Sequence, residues 1–194
     1  LKQTGIQLFQ QNYINLSAVL KNQDAYFKTD HHWNEKGAYI AYQEICSSVL
    51  HTKPQQFTYT QVADDFKGTM YSKSGAFWTK GEPMYRIDPE TQNDVTVTID
   101  QGNVMNSLYN EENLNGKDKY TYYLDGNHGY EKIQTSANNG KKAVIVKDSY
   151  AHILVPFLAQ EYSEIDLVDL RYYRDAVSRL ITDKETTDVY VIYS

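Results

Sequence analysis

A chain of 194 residues is long enough for one domain with a sizeable core. Its net charge of -6 and pI near 5.3 exclude nucleic acid as the main partner, because phosphate binding needs a basic footprint. A hydrophobic content of 41% and a mean hydropathy of -0.63 fit a soluble globular protein, and no run approaches the ~18 apolar residues of a membrane span.

In chain order, Ile6, Phe9, Tyr13, Leu16 and Leu20 recur at steps of three and four and predict an amphipathic helix over 6–20. Residues 23–29 break that period and lead into Thr29-Asp30-His31-His32-Trp33. Asn34 is placed to cap a second helix, with Glu35 in its first turn and Ala38, Ala41, Tyr42, Ile45 and Val49 as its buried stripe. Cys46 lies in that helical pattern beside Ile45 and Val49 and reads as a buried structural thiol. As the single cysteine, it excludes an internal disulfide and a Cys-rich zinc site. From about 51 to 139 the pattern changes to short alternating segments, such as Val95–Ile99 and Tyr120–Leu124, separated by Gly102, Gly116, Asp125-Gly126 and Asn139-Gly140. This stretch reads as a β-rich insertion that walls a cleft. The 18 tyrosines are read mainly as filling for strands and half-buried helix faces.

Three apolar runs follow, 143–146, 165–170 and 189–193, with helical spacers between them. That order predicts parallel strands joined by right-handed crossovers, hence an α/β fold. Pro156 either kinks the first spacer or starts a new helix there. The carboxyl edge of such a sheet, where ligands bind in open α/β folds, carries Asp148-Ser149 and Asp169-Leu170-Arg171.

Asp30 and His32 are two residues apart, so in an extended segment they point to the same side, as an imidazole with its orienting carboxylate. Ser149 ends a buried strand ahead of a helical stretch, a common place for a nucleophile. Together they suggest acyl transfer through an ester on Ser149, with His32 as base and Asp30 as orienter. The Ser149 N–H and Asn127 are candidate oxyanion donors, and Arg171 is a candidate carboxylate clamp. Tyr150, His31 and Trp33 flank these residues and are candidate oxyanion or substrate contacts. Other readings stay open. Ser149 or Asp148 at that position serves equally as a helix-start residue. Asp30, His31 and His32 have the chemistry of zinc or manganese ligands, although His51, His128 and His152 add no ligand spacing. Trp33 suits either a core anchor or a sugar platform.

Thr29-Asp30-His31-His32-Trp33 followed by Gly37-Ala38 resembles the signature of the DHHW protein family of Gram-positive bacteria. Asp64 through Thr69, Gly126-Asn127-His128, Lys147-Asp148-Ser149-Tyr150, Pro156-Phe157-Leu158 and Ile165 through Tyr173 resemble its remaining motifs, so the likeness runs from about Asp24 to Ser194. That family is similar to the SGNH-hydrolase-like proteins of alginate and peptidoglycan O-acetylation. The resemblance implies an open parallel sheet flanked by helices. Its triad is Ser149, His32 and Asp30, in an order permuted from ordinary SGNH enzymes. It also implies an extracytoplasmic setting at the cell surface, a polysaccharide that is acetylated or acetylatable, and a membrane-bound O-acyltransferase as partner. Lys147 stands where the related esterases have Gly.

The expectation is one SGNH-like domain over 1–194, a piece of a longer secreted or membrane-anchored protein, since the chain opens at Leu1 without Met or signal peptide. It would move acetyl groups on or off a cell-envelope polysaccharide, without metal or cofactor. A non-catalytic glycan-binding module is the competing expectation, and a metal-dependent phosphoesterase the third.

Overall fold

The computed structural model describes residues 13–100, 102–183 and 185–194. Ile6 and Phe9 of the first predicted helix lie outside them; within the described residues that helix is seen as α1, Leu16–Leu20. The second helix, α2, runs Glu35–Ile45 and begins at Asn34, whose side chain accepts a hydrogen bond from the Gly37 N–H at 3.1 Å. Ala38, Ala41, Tyr42 and Ile45 form its buried stripe. The helix then widens into a π-type turn, Cys46–Leu50, with Cys46 buried.

The stretch 51–139 is not a free-standing insertion. Its first part pairs antiparallel as a two-stranded sheet, β1 (Phe57–Phe66) with β2 (Glu82–Pro89), and a short helix, α3 (Thr69–Ser74), lies between them. Its second part supplies β3 (Val95–Ile99), β4 (Asn103–Met105) and β5 (Tyr130–Thr135) to the main sheet. The last third adds β6 (Lys142–Lys147), the short helix α4 (Val155–Leu158) that opens around Pro156, β7 (Glu164–Val168), α5 (Val177–Asp183) and β8 (Asp188–Ile192).

The main sheet has six strands in the order β4-β3-β5-β7-β6-β8. Only β7, β6 and β8 are parallel, as their helical spacers require. β3, β4 and β5 join antiparallel, so the sheet is mixed where an all-parallel one was expected. The strand expected at Tyr120–Leu124 is instead a 3-10 turn, Lys119–Tyr122, followed by an isolated bridge from Tyr123 to Tyr109. Its tyrosines do not alternate between core and solvent: Tyr120, Tyr122 and Tyr123 are all buried, and Leu124 and Asp125 take positive φ in the turn that follows.

Aromatic packing joins the layers. Tyr42 of α2 and Phe57 of β1 sit against Phe157 of α4, with ring centroids 5.6 and 4.8 Å from it. Glu35, buried in the first turn of α2, accepts hydrogen bonds from the Tyr85 N–H and the Tyr123 hydroxyl, both at 2.9 Å. Burial raises its carboxyl pKa against the pull of those donors. One side chain thus ties the helix to β2 and to the tyrosine-rich turn.

Candidate active site

The segment before α2 is a tight turn closed by a bridge between Tyr26 and Trp33 and by the Asn34 N–H on Ala25 O at 3.0 Å. Glu82 of β2 clamps its start, accepting from the Lys28 N–H at 2.8 Å and from the Thr29 N–H at 2.7 Å. The turn is therefore pinned to the two-stranded sheet, and the two residues it carries inward, Asp30 and His32, are 3% and 5% exposed.

Asp30 Oδ1 accepts from His32 Nδ1 and from the His32 N–H, while Oδ2 accepts from the Thr69 N–H at 2.7 Å and the Thr69 hydroxyl at 3.0 Å. Burial alone would raise this carboxyl's pKa. The donors from His32 and Thr69 outweigh it and hold Asp30 well below the usual carboxylate range. Asp30 is thus a fixed anion, and it assigns the proton on His32 to Nδ1. That leaves Nε2 free to accept, and it lies 2.7 Å from Ser149 Oγ.

Ser149 opens a single 3-10 turn, Ser149–Ala151, at the carboxyl end of β6. The cap of that turn is Asp148, whose Oδ1 accepts from the Tyr150 N–H at 2.9 Å and whose Oδ2 accepts from the Ser194 N–H at 2.9 Å. The capping role is therefore taken by the neighbour, and the Ser149 hydroxyl is left to His32. At the first position of a turn, the Ser149 N–H has no intrahelical acceptor.

The flanking residues divide by role. Trp33 is a core anchor: it is 4% exposed, and its indole N–H donates to Tyr150 O at 2.8 Å. The Tyr150 hydroxyl donates to His31 O, with its ring 5.1 Å from that of His32. His31 is exposed, its Nδ1 2.7 Å from the Thr69 hydroxyl. Burial, then the neighbouring His32, lowers its pKa. Arg171 and Asn127 form a separate pair on the next strand end. Arg171 donates through Nε and Nη2 to Asp169 and through Nη2 to Asn127 Oδ1 at 3.0 Å. Val146 pairs with Val168, so Ser149 and Arg171 each lie three residues beyond paired positions on adjacent parallel strands.

Three contributors lay outside the sequence reading. Thr69 secures Asp30, and it belongs to a quoted motif that carried no assigned role. Tyr120 stacks on His32 at 3.8 Å with ring planes 7° apart, and its hydroxyl donates to Ser149 O at 3.1 Å. Behind the turn, Lys147 is fully buried with its ammonium 2.8 Å from His152 Nε2 and 3.3 Å from Glu131 Oε2.

Among the described residues, Asp30, His31 and His32 form one group with metal-ligand chemistry, their donor atoms within 4.8 Å of one another. Most of those atoms are already committed: His32 Nδ1 to Asp30, His32 Nε2 to Ser149 and His31 Nδ1 to Thr69. The donor set therefore fits a hydrogen-bond relay better than a cation site.

The family described as SGNH hydrolase-like domain, acetyltransferase AlgX, matches residues 1–115, which include Asp30 and His32 and end before Ser149. A DHHW family protein from Eubacterium siraeum superposes with a TM-score of 0.75 at 25% identity, over 92% of this chain and 61% of that one. Bacillus cereus PatB1, in a structure with a sulfonyl adduct, superposes with a TM-score of 0.69 at 28% identity, over 97% of this chain and 65% of that one. The chain thus spans somewhat less than two thirds of the length of each. No curated protein matches the chain.

Proposed function

The chain belongs to the SGNH hydrolase-like acetyltransferase family of AlgX, and from that premise we propose that it is an O-acetyltransferase working through an acetyl ester on Ser149. The observation that carries the reading is the unbroken chain of hydrogen bonds from Thr69 through Asp30 and His32 to the Ser149 hydroxyl.

In the proposed reaction His32 Nε2 takes the proton of Ser149 Oγ as that oxygen attacks the acetyl carbonyl. The Asp30 anion stabilises the imidazolium. The Ser149 N–H is the first donor to the oxyanion, and Asn127, with its amide oxygen held by Arg171, offers its amide N–H groups as the second. Collapse expels the donor's oxygen, which leaves with the proton from His32, and acetyl-Ser149 remains. An acceptor hydroxyl then gives its proton to His32 and attacks the ester, and Ser149 recovers its proton as it leaves. A sugar hydroxyl as acceptor makes the enzyme a transferase and water makes it an esterase, depending on how well the occupied cleft excludes water.

The acceptor we propose is a cell-envelope polysaccharide, met outside the cytoplasm. The acetyl group would come from a membrane-bound O-acyltransferase. Both assignments extend the resemblance to the family and are part of the proposal. Intact-protein mass spectrometry after incubation with an activated acetyl ester tests the core of the proposal. One acetyl adduct on Ser149, lost in Ser149→Ala and not formed in His32→Ala, is the expected result. A sulfonyl fluoride is a second probe, since PatB1 carries a sulfonyl adduct. Equal labelling of wild type and Ser149→Ala would overturn the mechanism. Retained binding of glycan without any adduct or turnover would favour a binding module.

A further inference from the structure

The segment between β1 and β2 carries the two most exposed large apolar side chains of the described residues, Trp78 at 85% and Phe77 at 78%, together with Met70 at 52%. They do not hang from a loose loop. The segment is rooted at the active site, where Thr69 donates to Asp30 and the Tyr71 N–H donates to Thr29 O at 2.9 Å. It returns at Gly81, which packs so closely on the Asp65 backbone that no Cβ fits. Between these roots α3 ends at Gly75, with φ of 68°, and Phe77 and Thr79 close tight turns onto Gly75 O and Ala76 O. The apolar tips are therefore held outward by the fold.

Charge on the same segment runs against the rest of the chain. Lys67, Lys73 and Lys80 lie between positions 67 and 81 with no Asp or Glu among them, in a protein of net charge -6. At the base, Asp65 is held 3.0 Å from Lys119, and Glu82, which directly follows the segment, is taken up by the Lys28 and Thr29 N–H groups; Asp64 is the next carboxylate before Asp65. Exposed aromatic and Met side chains on a segment whose only charges are lysines, Lys67 with its ammonium 4.6 Å from the Tyr71 ring, match an anionic bilayer surface: rings settle at the headgroup level and ammonium groups meet the phosphates. A sugar platform presents a ring face in a wall of polar partners, whereas Phe77 and Trp78 project with their surfaces almost wholly free.

We propose that residues 67–81 dock this protein on an anionic lipid surface, with Phe77, Trp78 and Met70 entering the interface and Lys67, Lys73 and Lys80 contacting lipid phosphates. This is independent of the chemistry assigned to Ser149, and the test is run in Ser149→Ala as well as wild type so that the two stand or fall separately.

The chain has two tryptophans, and the other, Trp33, is 4% exposed, so a change in emission on docking reports Trp78. The protein is titrated with vesicles of phosphatidylcholine containing phosphatidylglycerol, and with vesicles of phosphatidylcholine alone. The expected result is a blue shift and co-sedimentation with the anionic vesicles, at least about tenfold weaker with neutral ones and weakened by salt. Phe77→Ser, Trp78→Ser, read by co-sedimentation, and the triple Lys→Gln variant should each lose about tenfold or more while keeping the wild-type melting temperature. Absence of binding to anionic vesicles overturns the proposal, and so does binding that these variants leave unchanged. A blue shift on adding soluble glycan oligomers without any vesicle binding makes the tip a sugar contact and equally overturns it.

Discussion

Tyr120 lies flat on His32 and donates its hydroxyl to the carbonyl of Ser149, so one side chain sets the plane of the proposed base and the height of the proposed nucleophile. Replacing it with Phe keeps the stack and loses one hydrogen bond, which costs about 1 kcal/mol of stability with turnover within about fivefold. Replacing it with Leu removes the plane as well. Turnover of an activated acetyl ester should then fall by about 10- to 100-fold, because a misplacement near 1 Å at a reacting centre is enough for that. Kinetics on both variants, with melting curves beside them, separate the two effects. The Asp30, His32 and Ser149 grouping was legible because its parts have distinctive types at distinctive places: a carboxylate two residues from an imidazole, and a hydroxyl at the end of an apolar run. Tyr120 was not, since one tyrosine among 18 carries no mark of the ring it will cover.

Elements were legible where one periodicity ruled. Asn34 and the stripe of α2 announced a capped helix, and β6 and β7 announced themselves as buried runs. The middle of the chain defeated such reading because its short strands are shared between two sheets, and pairing partners 30 or more residues apart leave no local trace, as with Val95 opposite Thr135. The link from β1 to α3 is of this kind. Gly68 precedes α3 and approaches Asp30 so closely that a Cβ there would overlap the carboxylate. Gly68→Ala should cost about 1–3 kcal/mol of stability, as overpacking does. Acetyl turnover should fall by about 100-fold, because the group displaced is the one that aims His32. If turnover fell only in proportion to the folded fraction, Gly68 would be a packing position and nothing more.

For the molecule as a whole, the buried set Lys147, Glu131 and His152 couples stability to pH. Burial pushes the Glu131 carboxyl up to about 7, against the pull of Lys147, and its Oε1 has no hydrogen-bond partner. The ordinary value is 4.5, so between about pH 4.5 and 7 the unfolded chain has released a proton that the folded chain keeps. Stability from this group therefore falls as pH rises through that window, by on the order of 2 kcal/mol. Denaturant unfolding at pH 4.5, 5.5 and 7 should show that decline in wild type and a flatter profile in Glu131→Gln. An unchanged slope in the variant would assign the dependence to other groups. The sequence pointed to the parallel half of the fold and to its carboxyl edge. It did not reveal that a buried lysine would stand beside the strand end that carries the proposed nucleophile, because Lys147 reads on paper as the polar close of an apolar run.

The order of the proposed triad along the chain also has a bearing on when the protein becomes reactive. Asp30 and His32 are fixed by an early turn, whereas Ser149 sits on a turn whose cap, Asp148, is held from its far side by Ile192 O and the Ser194 N–H. In a chain growing from its amino end, the proposed base precedes the proposed nucleophile by 117 residues, and β8, beyond which the clasp on the nucleophile's turn lies, follows both. Until β8 has formed, the turn of Ser149 lacks the two backbone contacts that hold its cap, so ester formation in the proposed reaction would wait on that strand. The proposed chemistry is armed by β8.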